Sequence, residues 1–221
     1  MSAGDPALEE GWVGRELALE FPALRLVSVV APAPGRRTPS VLRERLALLA
    51  DRFHGARALT LRREPVPHAY RVFFRHVGLD PDAQRTPVEA AALERLVQGG
   101  FVSRGALEDA LLVALVETGV PVWALDDARL DGPLGLRAAA PGERLGEGEY
   151  AADLAPGRVV VADAGAPVAV LFGDVAANRL PTRDSARLRL FAIAVPGVPA
   201  LHVEEALFGC VEALSDARGA R

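Results

Sequence analysis

Apolar positions along this chain change their rhythm near Gly119. Before it they recur mostly at helical spacing; beyond it they gather in short runs separated by Gly, Pro and Asp. The first apolar run is Leu24 to Val30. It predicts a buried strand, ended by the break Ala31-Pro32-Ala33-Pro34-Gly35. After Thr38-Pro39, the spacing of Leu42, Leu46, Leu49 and Phe53 predicts a helix with Arg43, Glu44, Arg45 and Arg52 on its other face. A second helix is expected around Ala69 to Val77, stopped by Gly78. The loop Leu79 to Arg85 then leads into Thr86-Pro87-Val88-Glu89. There Thr86 can cap, Pro87 presets φ, and Glu89 can reach back to close a capping box. That helix should end at Gly99-Gly100. The next, Ala106 to Thr118, is apolar nearly all round and stops at Gly119, so it should be buried on most sides.

Beyond Gly119 the runs Pro121–Leu125, Leu134–Ala138, Arg158–Asp163, Val168–Phe172 and Leu188–Val195 read as strands. Ala164-Gly165-Ala166-Pro167 reads as a turn between two of them. Pro196-Gly197 ends the last strand. Ala200 to Ala217 closes the chain as an amphipathic helix with Leu201, Ala206, Leu207, Val211 and Leu214 inward. Helices first and strands later predict an α+β fold in which N-terminal helices pack on a mixed or antiparallel sheet. Residues 1–35 are expected to form an N-terminal strand or extension on a single domain spanning 36–221; 221 residues suffice for one sizeable core.

Charge modifies this picture only locally. The net charge is -4, which argues against a general nucleic-acid coat. Residues 36–95, however, hold 12 Arg against 7 Asp and Glu. All 25 basic residues are Arg, which removes any P-loop, Schiff-base or general-base lysine. Cys210 is the sole cysteine, so no intrachain disulfide or cysteine-based zinc site can form; in its apolar run it should be a small buried hydrophobe. The first 20 residues lack the pattern of a signal peptide. No apolar stretch reaches the ~20 residues needed to span a bilayer. A cytoplasmic protein without membrane partners is expected.

General catalytic motifs are absent: there is no Walker sequence, no dinucleotide fingerprint and no G-x-S-x-G elbow. His54, His68, His76 and His202 lie scattered without metal-ligand spacing and read as surface or structural residues, so neither metal nor cofactor is expected. Arg71 and Arg75 sit one helical turn apart beside Phe73 and Phe74, and Arg85 follows in the loop. Such a cluster can hold a phosphate backbone; alternatively the Phe pair is core and the Arg pair its exposed flank.

Two ordered stretches carry a family likeness. The first is Tyr70-Arg71-Val72-Phe73-Phe74-Arg75 with Gly78-Leu79-Asp80-Pro81, Arg85-Thr86-Pro87 and Glu89-Ala90. The second runs from Gly119-Val120-Pro121-Val122-Trp123-Ala124-Leu125-Asp126 through Leu130-Asp131-Gly132-Pro133-Leu134-Gly135-Leu136-Arg137 and Pro141-Gly142-Glu143. It continues with Gly157 to Asp163, the strand to Gly173, and Thr182. Over roughly residues 65–195 this series resembles the B3/B4 domain of the phenylalanyl-tRNA synthetase β subunit, and most closely the separate proteins built from that domain. The resemblance implies an α+β editing and tRNA-binding fold. It also implies a ligand that is tRNA, an aminoacyl-tRNA end or a small amino-acid-like molecule.

The activity so implied is that of a free-standing deacylase of mischarged tRNA; the alternative is a non-catalytic module that binds RNA or a small molecule. By the same resemblance Asp109 and Asp126 are the candidate catalytic groups, and Arg71, Arg75, Arg85, Pro121, Trp123, Arg137, Glu143, Gly173 and Thr182 the candidate substrate or RNA contacts. For Asp109 and Asp126 the alternative roles are bracing the apolar helix and ending a strand. Arg137 with Glu143 can equally be an ion pair that fixes a loop, and Thr182 can cap a turn. The chain departs from the family where a polar His gives way to Trp123, an Asn-Tyr pair to Leu112-Val113, and a Glu to Arg187. Those are groups that would read a tyrosine hydroxyl and position water, and a site without them loses that discrimination.

Overall fold

A computed structural model describes residues 6–35, 37–53, 55 and 60–219. His54 lies outside them. The fold is α+β; among the described residues there are helices, two four-stranded sheets and a two-stranded ribbon. The chain divides into two compact units, Met1–Val30 with Ala124–Pro196, and Ala31–Trp123 with Gly197–Arg221.

The strands fall wholly or for the greater part in the first unit. These are β1 (Glu9–Glu10), β2 (Trp12–Val13), β3 (Arg25–Pro32), β4 (Val122–Asp126), β5 (Gly135–Ala138), β6 (Arg144–Leu145), β7 (Ala152–Asp153), β8 (Val159–Ala162), β9 (Pro167–Val170) and β10 (Arg187–Ala194). One sheet has the order β1-β3-β10-β4 and the other β2-β5-β8-β9. In the second, β2 runs parallel to β5, whereas β5–β8 and β8–β9 are antiparallel, so the sheet is mixed. Every residue of β8 is buried, as continuous Val-rich runs require when both faces are covered.

Residues 1–23 gave no element from pattern alone, yet they hold β1, β2 and the short helix α1 (Arg15–Glu20). Glu9–Glu10 pair with β3, and one residue later Trp12–Val13 pair with β5. Gly11 is the step between sheets: its N–H donates to Leu26 O at 2.8 Å, and the N–H of Trp12 donates to Leu134 O at 3.2 Å. The Trp12 indole lies across Gly135, where a Cβ would come within 2.1 Å of the ring, so only glycine fits. Its Nε1–H donates to Pro133 O at 3.2 Å.

The second unit is helical: α2 (Ser40–Arg52), α3 (Pro65–His76), α4 (Pro87–Gln98), α5 (Ala106–Thr118) and α6 (Ala200–Gly219). As its pattern predicts, α5 is central and packs against α2, α4 and α6. Ala110, Val113, Ala114 and Val116 are buried, each Val contributing about 1.5–3 kcal/mol of burial free energy. Gly119 ends the helix in the left-handed region, at φ 75°. The α4 start carries the expected capping box: Glu89 Oε2 accepts from the Thr86 N–H at 3.2 Å and from Thr86 Oγ1 at 2.8 Å.

Two expectations need correction. Helix α3 begins at Pro65 rather than near Ala69, because Pro65 and Pro67 occupy the first turn, where their missing N–H groups have no intrahelical partner to lose. Leu201, expected inward on α6, is 61 % exposed because it sits in the opening turn; Val203, Ala206, Leu207 and Cys210 form the buried stripe. Among the described residues no helix is long and apolar enough to cross a membrane.

Candidate functional site

In the helical unit, α3, the loop after it and α4 enclose an open cleft of about 290 Å³. Arg62, Arg71, Arg85, Asp82 and Glu89 supply its polar lining, and Pro81, Ala92, Leu93 and Leu96 its apolar wall. Arg71 and Arg85 are therefore brought together, as their sequence neighbourhood suggested, and Arg62 joins them. Arg71 does not behave as an exposed flank. It is buried, with Nη1 donating to Glu89 Oε1 at 2.7 Å and Nη2 to Asp82 Oδ1 at 2.6 Å. Burial opposes its charge, but the bonds to Asp82 and Glu89 outweigh that and raise its pKa further; in turn Arg71 holds the Asp82 carboxyl below the usual range. Arg75 is exposed and stands 3.6 Å from Asp82 Oδ2. Phe73 and Phe74 are core.

Asp109, also in this unit, is buried at the start of α5. Its Oδ2 accepts from Thr38 Oγ1 at 2.8 Å and Ser103 Oγ at 2.5 Å, and its Oδ1 from the Arg104 N–H at 2.9 Å. It ties the approach to α2 and the loop before α5 onto the apolar helix. Pro121 is buried and Trp123 half-buried in the segment that follows α5.

In the strand-rich unit, Asp126 ends β4 and is 5 % exposed. Oδ1 caps the following turn by accepting from the Ala128 N–H at 3.1 Å; Oδ2 accepts from Ser185 Oγ at 2.8 Å and faces Arg129 at 3.2 Å. Thr182 belongs to the same arrangement through its neighbour, since its N–H donates to Ser185 Oγ at 2.9 Å; its side chain is exposed and accepts from the Asp184 N–H at 3.3 Å. Arg187 pairs with Asp127 at 3.0 Å, and Arg189 bridges Asp127 and Glu9.

Arg137 and Glu143 form a two-pronged pair, with both N–O distances 2.6 Å. Glu143 also accepts from the Ala140 N–H at 2.7 Å, closing the loop 139–143. The bond from Arg137 holds the Glu143 carboxyl below its ordinary value, and Glu143 raises Arg137. Gly173 lies in the turn after β9, where its N–H donates to Val170 O at 3.0 Å.

Asp163 is not among the residues that the sequence marks as candidates, yet it is heavily bonded within the strand-rich unit. Its side chain is fully buried and accepts from the N–H groups of Asp131, Gly165 and Ala166 at 3.0, 2.9 and 2.9 Å, with Arg179 at 3.4 Å. Burial works against this carboxylate, yet the three N–H groups and the guanidinium outweigh it and keep its pKa below the ordinary range. The available signal was an Asp directly before the Ala-Gly-Ala-Pro turn, a position where a side-chain oxygen can take the turn's N–H groups. Among the described residues no cluster of three or more His, Cys, Asp or Glu could hold a metal ion.

Comparison with known proteins gives a partial likeness. No protein-family model matches the chain. Over 95 residues, 42 % of its length, the chain is 38 % identical to the phenylalanine–tRNA ligase beta subunit of Xanthomonas oryzae pv. oryzae strain MAFF 311018. The same values hold for that subunit from strain KACC10331 / KXO85. The matched stretch spans 12 % of those relatives.

Proposed function

We propose that this chain is a B3/B4-like module that binds tRNA or an aminoacyl-bearing ligand and does not hydrolyse it. In this reading residues 36–221 form the module, residues 1–35 are its N-terminal extension, and a tRNA ligand would place it in the cytoplasm. The observation that carries the proposal is the state of the two candidate catalytic acids. Both oxygens of Asp109 and both of Asp126 accept hydrogen bonds from the surrounding frame. A general base needs a lone pair within hydrogen-bond reach of the water it activates. Here both carboxylates are buried, at 1 % and 5 % exposed, and their oxygens are turned to donors that brace α5 and the turn after β4 rather than to solvent. The substitution of Trp123, Leu112-Val113 and Arg187 at the family's polar positions points the same way.

The likeness to the ligase subunit and the basic segment 36–95 support a tRNA-type ligand. Two measurements on the full chain test the proposal. Incubation with a panel of mischarged tRNAs should release amino acid no faster than a heat-killed control; faster release of any one overturns the non-catalytic part. Binding of tRNA should weaken steeply as salt is raised, since phosphate contacts release counterions. Absent or salt-insensitive binding overturns the tRNA part.

A further inference from the structure

The cleft between α3 and α4 has a charge balance that identifies what it can take. Five charged groups line it, and two of the three cations differ sharply from the third. Arg71 is consumed by Asp82 and Glu89. Glu89 is consumed too: Oε1 holds Arg71 and Oε2 holds the Thr86 N–H and hydroxyl. Asp82 gives Oδ1 to Arg71, with Arg75 beside Oδ2. Glu89 has both oxygens engaged and Asp82 keeps only Oδ2, which it shares with Arg75 at 3.6 Å, so an ammonium group would compete with a guanidinium for a single oxygen, which disfavours a free amino acid or other zwitterion. Arg62 and Arg85 are exposed and make no hydrogen bond or ion pair among the described residues. Three guanidinium groups against two carboxylates leave the cleft a net charge of +1; Arg62, within electrostatic reach of Asp82, and Arg85 are the two forks, from separate segments, that no carboxylate holds by a hydrogen bond.

We propose that this cleft holds the phosphate of a nucleotide, free or within an RNA strand, on Arg62 and Arg85. The proposal deepens the tRNA-binding reading and rests on it for the RNA source. A terminal phosphate carries more charge than a carboxylate and offers three acceptor oxygens, and a phosphodiester within a strand still offers two non-bridging oxygens, one to each planar donor. Leu93 and Leu96, each 41 % exposed and standing over buried Ala92, give a base an apolar wall to lie against. The volume, near the lower end of the roughly 300–1,000 Å³ of small-ligand sites, suits one nucleotide unit. Arg71 is then a positioning residue. Through Asp82 it fixes the loop that carries Arg85, and through Glu89 it fixes the start of α4, so the two exposed guanidinium groups face a rigid frame.

The test compares the full wild-type chain with the double variant R62Q/R85Q. Neither side chain is bonded to the frame, so circular dichroism and the unfolding midpoint should be unchanged. The probes are a single-stranded RNA oligonucleotide, titrated over a range of salt, and adenosine 5′-monophosphate. Wild type should bind RNA, with the nucleotide competing. The double variant should bind about tenfold more weakly at low salt, and its log–log salt slope should be shallower by about 1.4, the loss of two contacts to a single strand. Equal binding of both probes by wild type and variant overturns the proposal, as does a wild type that binds neither. If tRNA binds wild type and variant alike, the cleft fails and the broader reading stands. If wild type binds the nucleotide but no tRNA, and the variant loses the nucleotide, the cleft stands and the broader reading falls.

Discussion

Replacing Asp163 by Asn should destabilise the strand-rich unit by about 3 kcal/mol. The carboxylate is fully buried, accepts three backbone N–H bonds and is paired with the Arg179 guanidinium. An Asn side chain can keep its oxygen toward the N–H groups of Gly165 and Ala166, which both bond Oδ1. Its amide nitrogen must then face the Asp131 N–H and the Arg179 guanidinium, both donors. One bond to a charged acceptor, about 1.5–3 kcal/mol, is lost, and the stranded N–H adds about 1–3 kcal/mol of unsatisfied burial. Asp163→Ala strands all three N–H groups and should cost more than the Asn variant. Urea unfolding gives the difference, and hydrogen exchange at the amides of Asp131, Gly165 and Ala166 gives the local version. The pH dependence has a definite sign. Because the folded carboxyl titrates below its unfolded value near 3.8, its contribution is complete above that value and disappears as pH falls toward the folded pKa. Wild type and Asn variant should converge in strong acid. An Asn variant within 1 kcal/mol of wild type at neutral pH, with unchanged amide protection, would refute the assignment of Asp163 as the keystone of this turn.

Other consequences are open to simpler measurement. Glu143→Gln should lower stability by about 1 kcal/mol, since it removes a two-pronged but partly solvated pair, and the difference should begin to shrink below the unfolded glutamate value of 4.5 and vanish once pH has fallen through the lower folded pKa. Gly135→Ala should cost about 1–3 kcal/mol and shift the Trp12 fluorescence, because the new Cβ displaces the indole; an unshifted spectrum would contradict the contact. Thr86→Ala should cost about 1 kcal/mol through the lost cap, read from the unfolding midpoint. Cys210, whose thiol burial pushes up to about 12, should resist thiol reagents until the chain unfolds; rapid labelling under native conditions would place it elsewhere.

The parts of the fold that the sequence made legible were those with local chemistry. The capping box at Thr86 and the glycine stop after α5 each fix an element end by backbone geometry that a single residue type supplies. The strands after Gly119 were legible because continuous Val, Ala and Leu runs bounded by Gly and Pro leave few alternatives. What escaped was set by distant partners. Two-residue strands such as Glu9–Glu10 have no period, and exist only because β3 offers an edge. Arg71 looked like the solvent-facing partner of Arg75, since nothing within the helix announces that Asp82 and Glu89 will close over one and leave the other exposed. The candidate acids show the same limit. Asp109 and Asp126 were visible as acids at suggestive places, but the donors that occupy them come from as far away as Thr38 and Ser185.

The N-terminal step at Gly11 bears on how this protein can be handled. Residues 9–13 lie along the borders of two separate sheets, so one short ribbon shields two rows of backbone donors and acceptors. Trimming the chain back to α1 would uncover β3 and β5 together, and unpaired strand borders are templates for association between molecules. A shortened version should therefore precipitate or self-associate at concentrations where the intact chain stays dispersed, even though no core side chain had been touched.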